Sequence, residues 1–295
     1  MADLLRWPKA LLAFALVGLN TAVHGTVLLA VALLKLLLPA GWRQRPNRWL
    51  AAIAEQWIGV NSALIDLFTH TCFIVEGGEG LCADGRYLVL ANHRSWVDIP
   101  VLQKVLNRRI PLLRFFLKRS LIWVPVLGLC WWALDFPFMR RYTPQRLARR
   151  PELAGRDLEE TRKACARFRQ LPVSVMNFVE GTRFTAAKQE AGGAGYRHLL
   201  RPKAGGVAFV MGAMGDVLDA VLDVTLHYEP GTPSLIDLFT DRVRTVRLHM
   251  RLLPVPEGFA GADYAGDPQF RQRFQDWVNA LWAEKDARLA SWSAD

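Results

Sequence analysis

The chain has 295 residues, with 37 lysines and arginines against 27 aspartates and glutamates, so its formal net charge is +10. This length suits one large α/β domain or two small ones, and it excludes a small scaffold held together by disulfides or metals. Hydrophobic residues make up 52% of the chain and charged residues 22%, which is too apolar for a disordered protein. The positive charge suits nucleic acid, an anionic membrane or an anionic substrate equally well.

The first strong pattern is the uncharged run 10–34, which as a helix would extend about 37 Å, more than a bilayer core needs. We therefore predict a retained membrane segment over residues 1–45. It is either one tilted span or, because polar residues and a glycine interrupt the run at 20–25, a helical hairpin that dips into one leaflet. Basic residues are more frequent after the run than before it, which predicts that the domain formed by residues 46–295 faces the cytoplasm.

Periodic patterns then predict the elements of that domain in chain order. An amphipathic helix is expected over 47–68, and β-like runs at 72–75, 87–91, 172–179 and 220–227 alternate with helical stretches such as 156–171 and 203–214. An alternating strand over 242–252 and a helix over 268–290 complete the chain. This alternation predicts an α/β domain with a mixed, largely parallel sheet flanked by helices.

Two further segments have patterns of their own. The apolar run 121–138 contains prolines and a glycine, so we interpret it as a buried core helix followed by a strand. A segment that dips into a membrane with its tryptophans at the interface is the alternative. The stretch 186–195 is rich in glycine and alanine and predicts a mobile loop over a site.

One string of residues has the composition of a catalytic site. The strand over 87–91 runs into Asn92 and His93, and Asp98 follows five residues after the histidine. If the strand ends at Ala91 and a helix begins near Trp96, the loop can bring the carboxylate of Asp98 onto Nδ1 of His93. The imidazole would then keep Nε2 free as a general base.

A second apolar strand ends in the turn Glu180-Gly181-Thr182-Arg183. The glycine permits a sharp turn, the arginine offers a planar fork suited to a phosphate, and the threonine adds a hydroxyl donor. An ordinary turn with a surface ion pair between Glu180 and Arg183 is the alternative interpretation. Two strands that both end in polar loops predict one shared site at the carboxyl edge of a sheet.

Together, the N-H-x4-D and E-G-T-R strings resemble those of the lysophospholipid acyltransferases, typified by 1-acylglycerol-3-phosphate acyltransferase. The likeness includes Lys118 in F-L-K-R-S-L, an F-x-x-R element made of Phe138 and Arg141, and P-K-A-G at 202–205. The stretches 132–142 and 277–288 are similar to the bacterial YihG-type branch. The chain departs from the family pattern at Val179, where the family commonly has proline, and at Asp135, where it often has glycine.

The resemblance implies a membrane-bound enzyme that moves a fatty acyl chain from acyl-CoA or acyl carrier protein to the sn-2 hydroxyl of lysophosphatidic acid, giving phosphatidic acid. It implies that His93 is the general base and that Asp98 orients it. It further implies an acceptor site that Asn92 helps to shape and whose contacts are Glu180, Gly181, Thr182, Arg183, Arg141 and Lys118. No metal or cofactor is expected besides the acyl donor, which is a co-substrate.

The expected partners are the phospholipid membrane, lysophosphatidic acid and the acyl donor, without nucleic acid. The expected location is the bacterial inner membrane, with residues 46–295 as the catalytic acyltransferase domain facing the cytoplasm. The sequence lacks a G-x-S-x-G elbow, a Walker A loop, a Rossmann fingerprint and an H-E-x-x-H motif, which argues against the corresponding enzyme classes. An acyltransferase for another lyso-lipid, a thioesterase, and a non-catalytic basic protein that binds membranes or nucleic acid remain the alternatives.

Overall fold

The computed structural model describes residues 2–39, 44–139, 149, 162–192 and 195–294. Two long helices come first, α1 (Ala2–Leu37) and α2 (Gln44–Phe68). The rest of the described chain alternates strands and helices in the order β1 (Cys72–Gly77), β2 (Arg86–Ala91), α3 (Asp98–Leu106), β3 (Leu113–Phe115), β4 (Leu117–Lys118), a 3₁₀ turn (Arg119–Trp123), α4 (Leu127–Ala133), β5 (Phe138–Met139), β6 (Val173–Phe178), α5 (Ala186–Ala191), α6 (Ala204–Met214), β7 (Ala220–Glu229), α7 (Leu235–Phe239), β8 (Thr245–Leu253) and α8 (Pro268–Ala294). A helix that includes residues 162–168 precedes β6.

Six strands form the central sheet, in the spatial order β1-β8-β7-β2-β6-β3. Strand β2 pairs in parallel with both β6 and β7, and β3 pairs in parallel with β6. Strand β8 is antiparallel to β7 and parallel to β1. The predicted fold class, a mixed and largely parallel sheet flanked by helices, is therefore confirmed.

The sheet is covered by helices on both faces, which explains why β2 is apolar from Leu88 to Ala91. In β2, Val89 and Ala91 contact the core under α1, α2, α3, α4 and α7. Leu88 and Leu90 contact the core under α6, α8 and the helix at 162–168. Alternate side chains of a strand point to opposite faces, so β2 is apolar on both of its faces. Its neighbours β6 and β7 add the buried polar side chains Ser174, Asp223 and Thr225.

Helix α1 is continuous through residues 20–25, where the sequence predicted a possible break. The amide of Asn20 donates to Oδ1 of Asn61 (2.8 Å) and to the carbonyl of Trp57 (3.1 Å), both on the antiparallel neighbour α2. Because α2 satisfies this polar side chain, the helix does not need to open there. Among the described residues one helix, Arg6–Leu37, is long and apolar enough to cross a membrane by length and composition alone, with 22% of its most apolar stretch buried.

One local prediction holds in part and another was wrong. The run 121–138 contains a helix followed by a strand, as predicted, but both are short because prolines divide the run; a 3₁₀ turn comes first, and its Trp123 is 85% exposed. The loop predicted over 186–195 begins with α5, since the hydroxyl of Thr185 caps that helix by accepting from the Lys188 amide (3.3 Å). The predicted helix over 156–171 lies partly outside the described residues, and the domain boundary at 45 and 46 stays a prediction.

Candidate active site

Strands β2 and β6 end side by side, with Ala91 paired to Phe178. His93 and Glu180 each follow two residues after these paired strand ends. The two following loops are tied together, because the amide of Phe184 donates to the carbonyl of His93 (2.8 Å). The structure thus brings both sequence strings to one edge of the sheet.

His93 and Asp98 form a hydrogen-bonded pair, with 2.7 Å between Nδ1 and Oδ2. Asp98 is the first residue of α3 and is fully buried, and its Oδ2 also accepts from the backbone amides of Arg94 (2.7 Å) and Ser95 (3.0 Å). The imidazole stacks on Phe178, with ring centroids 3.9 Å apart and planes 13° from parallel. The carboxylate favours the tautomer with its proton on Nδ1, and that tautomer leaves Nε2 able to accept a proton.

Tyr228 completes the surroundings of Asp98, and the sequence analysis missed it. Its hydroxyl on β7 donates to Oδ1 of Asp98 (2.7 Å) from a fully buried position. Burial raises the pKa of this hydroxyl well above its usual value, so it stays protonated and remains a donor. The only sequence signal was a tyrosine at the end of a buried apolar strand, far along the chain from the histidine.

Asn92 has a structural position and is fully buried. Its amide nitrogen donates to the carbonyl of Leu226 (3.0 Å), and its amide oxygen accepts from the backbone amide of Leu226 (2.8 Å). With both ends of the amide engaged by β7, this side chain does not face a substrate. Asn92 therefore joins β2 to β7 directly beside His93, and its part in shaping the acceptor site stays a prediction.

The turn after β6 has the geometry that its glycine predicts. Gly181 has a φ of +69°, in the left-handed region that favours glycine. Lys188 Nζ donates to Oγ1 of Thr182 and to the carbonyl of Arg183, each at 2.9 Å. The α5 lysine therefore fixes the turn from outside.

Arg183 lies over the indole of Trp96, with its guanidinium carbon 4.4 Å from the ring centroid. Trp96 belongs to the loop between His93 and Asp98 and is itself 56% exposed. This cation–π contact holds a positive charge beside the histidine loop. The predicted alternative, an ion pair between Glu180 and Arg183, is not formed, although both side chains lie within the described chain.

Glu180 differs most from its predicted role. Only 1% of it is exposed, and neither carboxylate oxygen forms a hydrogen bond within the ranges that the structure describes. Burial raises its pKa to about 8, while the guanidinium of Arg94 acts in the opposite direction. Arg94 is also buried and donates to the carbonyl of His198 (2.9 Å). The carboxyl group of Glu180 is therefore buried beneath the turn and is not exposed to an acceptor phosphate.

Two further cations, Lys118 and Arg141, were predicted to contact the acceptor phosphate. Lys118 is exposed on β4, where it pairs with Met139 of β5 through the backbone. Arg141 lies outside the described residues. Of the three cations that the sequence assigned to the acceptor, Arg183 is the one that lies beside the loop between His93 and Asp98. No group of three potential metal-ligating side chains is found in the part of the chain that the structure describes.

Known proteins with a similar sequence are acyltransferases. Lysocardiolipin acyltransferase 1 of Danio rerio is 27% identical over 296 residues, which cover 94% of this chain and 69% of that protein. The 1-acyl-sn-glycerol-3-phosphate acyltransferase delta of Mus musculus is 24% identical over 68% of this chain and 51% of its own length. The 1-acyl-sn-glycerol-3-phosphate acyltransferase 3 of Arabidopsis thaliana is 26% identical over 68% and 52%. The chain spans about half the length of these last two relatives.

A solved structure shares the fold. The crystal structure of the 1-acyl-sn-glycerophosphate acyltransferase PlsC from Thermotoga maritima superposes with a TM-score of 0.57 over 97% of this chain and 98% of that one, at 18% identity. The acyltransferase family model matches residues 72–228, more than half of the chain, including β2, β6 and both sequence strings. The predicted resemblance is confirmed at this level, while the YihG-type branch stays a prediction. The chain belongs to the acyltransferase family.

Proposed function

We propose that the protein transfers a fatty acyl chain from a thioester donor to the sn-2 hydroxyl of 1-acyl-sn-glycerol-3-phosphate, giving phosphatidic acid. The observation that carries this proposal is the His93–Asp98 pair at 2.7 Å, at the sheet edge where α/β folds bind their ligands. The names of the mouse and Arabidopsis relatives support the choice of acceptor. Acyl-CoA and acyl carrier protein are both suitable donors, and neither needs a metal or another cofactor.

The reaction needs one proton carrier and no covalent acyl-enzyme. Nε2 of His93 accepts the proton of the sn-2 hydroxyl as that oxygen attacks the thioester carbonyl carbon. Asp98 stabilises the imidazolium through Nδ1, and Phe178 holds the plane of the ring. The tetrahedral intermediate then expels the thiolate, which takes the proton back from the imidazolium. The products are the ester and the free thiol, and the histidine returns to its starting state.

Arg183 is the residue that we assign to the acceptor phosphate. Its guanidinium is held by Trp96 beside the histidine loop, where a planar fork can bind two phosphate oxygens. The phosphate of lysophosphatidate lies only a few bonds from the reacting hydroxyl, so its site must be close to His93. Arg183→Ala should therefore raise the KM for lysophosphatidate and leave the KM for the acyl donor unchanged. A raised KM for the acyl donor with an unchanged KM for lysophosphatidate would instead assign Arg183 to the donor.

Purified wild-type protein and His93→Ala, incubated with palmitoyl-CoA and lysophosphatidate, test the chemistry. Removal of a general base should lower kcat by about 10²–10⁴-fold. His70→Ala is a matched control, because Nδ1 of His70 also lies 3.2 Å from a carboxylate, that of Asp241, on an exposed part of the surface. It should retain wild-type turnover. Thiol release without any acceptor would indicate a thioesterase, and turnover that does not depend on His93 would refute the mechanism.

A second acceptor is favoured by one observation. The relative from Danio rerio, which matches 94% of this chain, is named for lysocardiolipin. Lysocardiolipin also carries a phosphate next to a free glycerol hydroxyl, so the same dyad and Arg183 would serve it. An acceptor panel that contains both lipids at equal mole fraction in mixed micelles distinguishes them. A higher kcat/KM for lysocardiolipin than for lysophosphatidate would replace the first proposal.

We propose further that the protein is attached to the bilayer through the outer face of α1. Lys9 pairs with Asp241 (2.5 Å) and Lys35 lies 3.5 Å from Asp135, so both ends of α1 are bound to the same domain. These lysines are about 39 Å apart along the helix. If α1 crossed the bilayer, one of the two pairs would have to enter or cross the hydrocarbon core, which is costly for charged groups. We therefore favour a helix that lies in one leaflet over one tilted span.

The surface of α1 that faces away from the domain is apolar. It is formed by the exposed side chains of Trp7, Leu11, Leu12, Leu19, Val23, Val27, Leu33 and Leu37. The neighbouring segment adds the exposed rings of Trp123 and Trp132, because α4 packs on α1 at Gly25. An apolar patch this large is typical of a membrane-binding face. The inner membrane, with the domain on the cytoplasmic side, is the location that the basic flanks favour.

Flotation with anionic phospholipid vesicles tests this attachment. Leu12 is 54% exposed, so Leu12→Glu adds a charge to the apolar face without opening the core. It should lower the vesicle-bound fraction. Ala280→Glu, at an exposed position of α8 on the opposite side of the sheet, is the control and should bind as the wild type does. Equal vesicle binding by the wild type and by Leu12→Glu would contradict attachment through this face of α1.

A further inference from the structure

A concave site lies beside the turn that follows β6. It is a cleft of about 190 Å³ between this turn, α5 and the segment 199–203. Thr182, Lys188, Arg201 and Lys203 contribute to its walls. His93, Trp96 and Arg183 do not line it. The basic side chains of this cleft are therefore distinct from Arg183, the cation that lies beside the loop between His93 and Asp98.

The three basic side chains of this cleft have no carboxylate partner among the residues that the structure describes. The stem of Lys203 lies against Gly181, where an added Cβ would come within 3.3 Å of Cδ and 3.6 Å of Nζ. Lys188 reaches the same turn through Oγ1 of Thr182. Glu180 is the only carboxyl group in the wall, and its raised pKa of about 8 makes it largely neutral at pH 7. A concave site with three cations and no resident anion attracts an anionic ligand.

The wall of the cleft is held rigidly from two sides. On one side, the amide of Gln189 in α5 donates to the carbonyls of Tyr196 (2.7 Å) and Arg197 (2.6 Å). On the other, Asp286 in α8 accepts from the backbone amides of Arg197 (2.8 Å) and His198 (2.7 Å). The segment that leads to Arg201 is thus fixed before any ligand arrives. Such preorganisation lowers the entropy that binding must overcome.

We propose that this cleft binds the phosphate of the acyl donor's phosphopantetheine arm. The inference rests on the proposed function, in which both substrates carry phosphate. The acceptor's phosphate must stay beside the reacting hydroxyl, and Arg183 is the cation placed there. The pantetheine arm instead carries the donor's phosphate far from the thioester, so a cationic cleft that His93 does not line suits the donor. Coenzyme A and acyl carrier protein share this phosphorylated arm, so one site serves both.

The test compares donors with and without phosphate. The variant Lys203→Met/Arg201→Met removes two charges and keeps the length of the side chains, and neither side chain forms a hydrogen bond or ion pair within the described ranges. We expect its KM for S-palmitoyl-CoA to rise by about tenfold or more, as the loss of charged contacts predicts. Its KM for S-palmitoyl-pantetheine, which lacks the phosphate, and for lysophosphatidate should not change. Arg273→Met, at an exposed position of α8, removes a positive charge outside the cleft; it is the control and should change none of them.

Two results would overturn the proposal. An equal rise in KM for both donors would show that the cations do not recognise phosphate, and a rise for lysophosphatidate alone would assign the cleft to the acceptor. Calorimetric titration of the wild type and the double variant with coenzyme A and with pantetheine needs no turnover. If the wild type transfers no acyl chain, the proposed function fails. The cleft is then still tested, because only coenzyme A should bind less tightly to the variant.

Discussion

Tyr228→Phe is the substitution that tests how the dyad is held. Asp98 is fully buried, and three groups donate to its Oδ2 while the Tyr228 hydroxyl, at 2.7 Å, donates to Oδ1. Within the described chain this hydroxyl is the sole donor to Oδ1. A hydrogen bond to a charged group contributes about 1.5–3 kcal/mol, and a buried oxygen left without a partner loses that amount. The ring itself stays, so packing is preserved.

The loss should appear in kcat, because Asp98 acts on the substrate only through His93. If about 1.5–3 kcal/mol is likewise lost from the stabilisation of the imidazolium in the transition state, kcat falls about 10–100-fold. The KM values should stay as in the wild type, since Tyr228 lies behind Asp98 and touches neither substrate. Steady-state kinetics with palmitoyl-CoA and lysophosphatidate measure both constants.

Tyr87→Phe is the matched control for this experiment. Tyr87 is also buried, at the far end of β2, and its hydroxyl accepts from the amide of Cys82 (2.9 Å). This variant should lose about 0.5–1.5 kcal/mol of unfolding free energy and keep its kcat. A folded Tyr228→Phe protein with wild-type kcat, or one whose KM rises instead, would refute the positioning role.

Three further substitutions have expected outcomes of their own. In the folded chain Glu180 has a pKa of about 8 against an ordinary 4.5, so it keeps a proton that the unfolded chain releases, and stability falls as pH rises towards 8. Glu180→Gln should remove this pH dependence. Its free energy of unfolding, measured by urea titration, should rise by about 2 kcal/mol relative to that of the wild type between pH 6 and pH 8. The same pH dependence in both proteins would contradict the argument. Gly181→Ala should cost about 1–2 kcal/mol of stability, because alanine is unfavourable at the positive φ of this position. The added Cβ should also displace Lys203 and so raise the KM for the acyl donor. A less stable variant with an unchanged donor KM would contradict the second effect. Lys285→Met should cost about 3 kcal/mol, measured by urea unfolding, because Oδ1 of the buried Asp223 loses its 2.5 Å partner and only the pair with Arg251 at Oδ2 (2.9 Å) remains. An unchanged unfolding midpoint would contradict this.

The dyad was predictable from the sequence because its geometry is local. The strand that ends at Ala91 and the helix that begins at Asp98 follow from apolar spacing, and the short loop between them leaves few ways to place His93. The same holds for the turn at Gly181, whose positive φ the glycine anticipates. Local sequence therefore predicted which residues meet at the sheet edge.

Contacts between distant segments were not predictable in this way. Tyr228 reaches Asp98 only because β7 lies beside β2 in the sheet, and a strand order of this kind is not written in any single window of sequence. The burial of Glu180 also depends on Arg94 and on the segment near Leu200, which pack against it from other parts of the chain. The exposure of Trp123 was missed for a related reason, because an apolar run has the same composition whether it faces a core or a bilayer.

The double hydrogen bond between Asn92 and Leu226 has a consequence for interpreting variation at this position. The side-chain amide imitates a peptide group, and it extends the β2–β7 ladder by one rung after the backbone of β2 has turned away. Aspartate lacks the donor, and glutamine places the same amide one methylene too far out. A requirement for asparagine beside the histidine would therefore reflect sheet architecture, even though the residue adjoins the reacting centre.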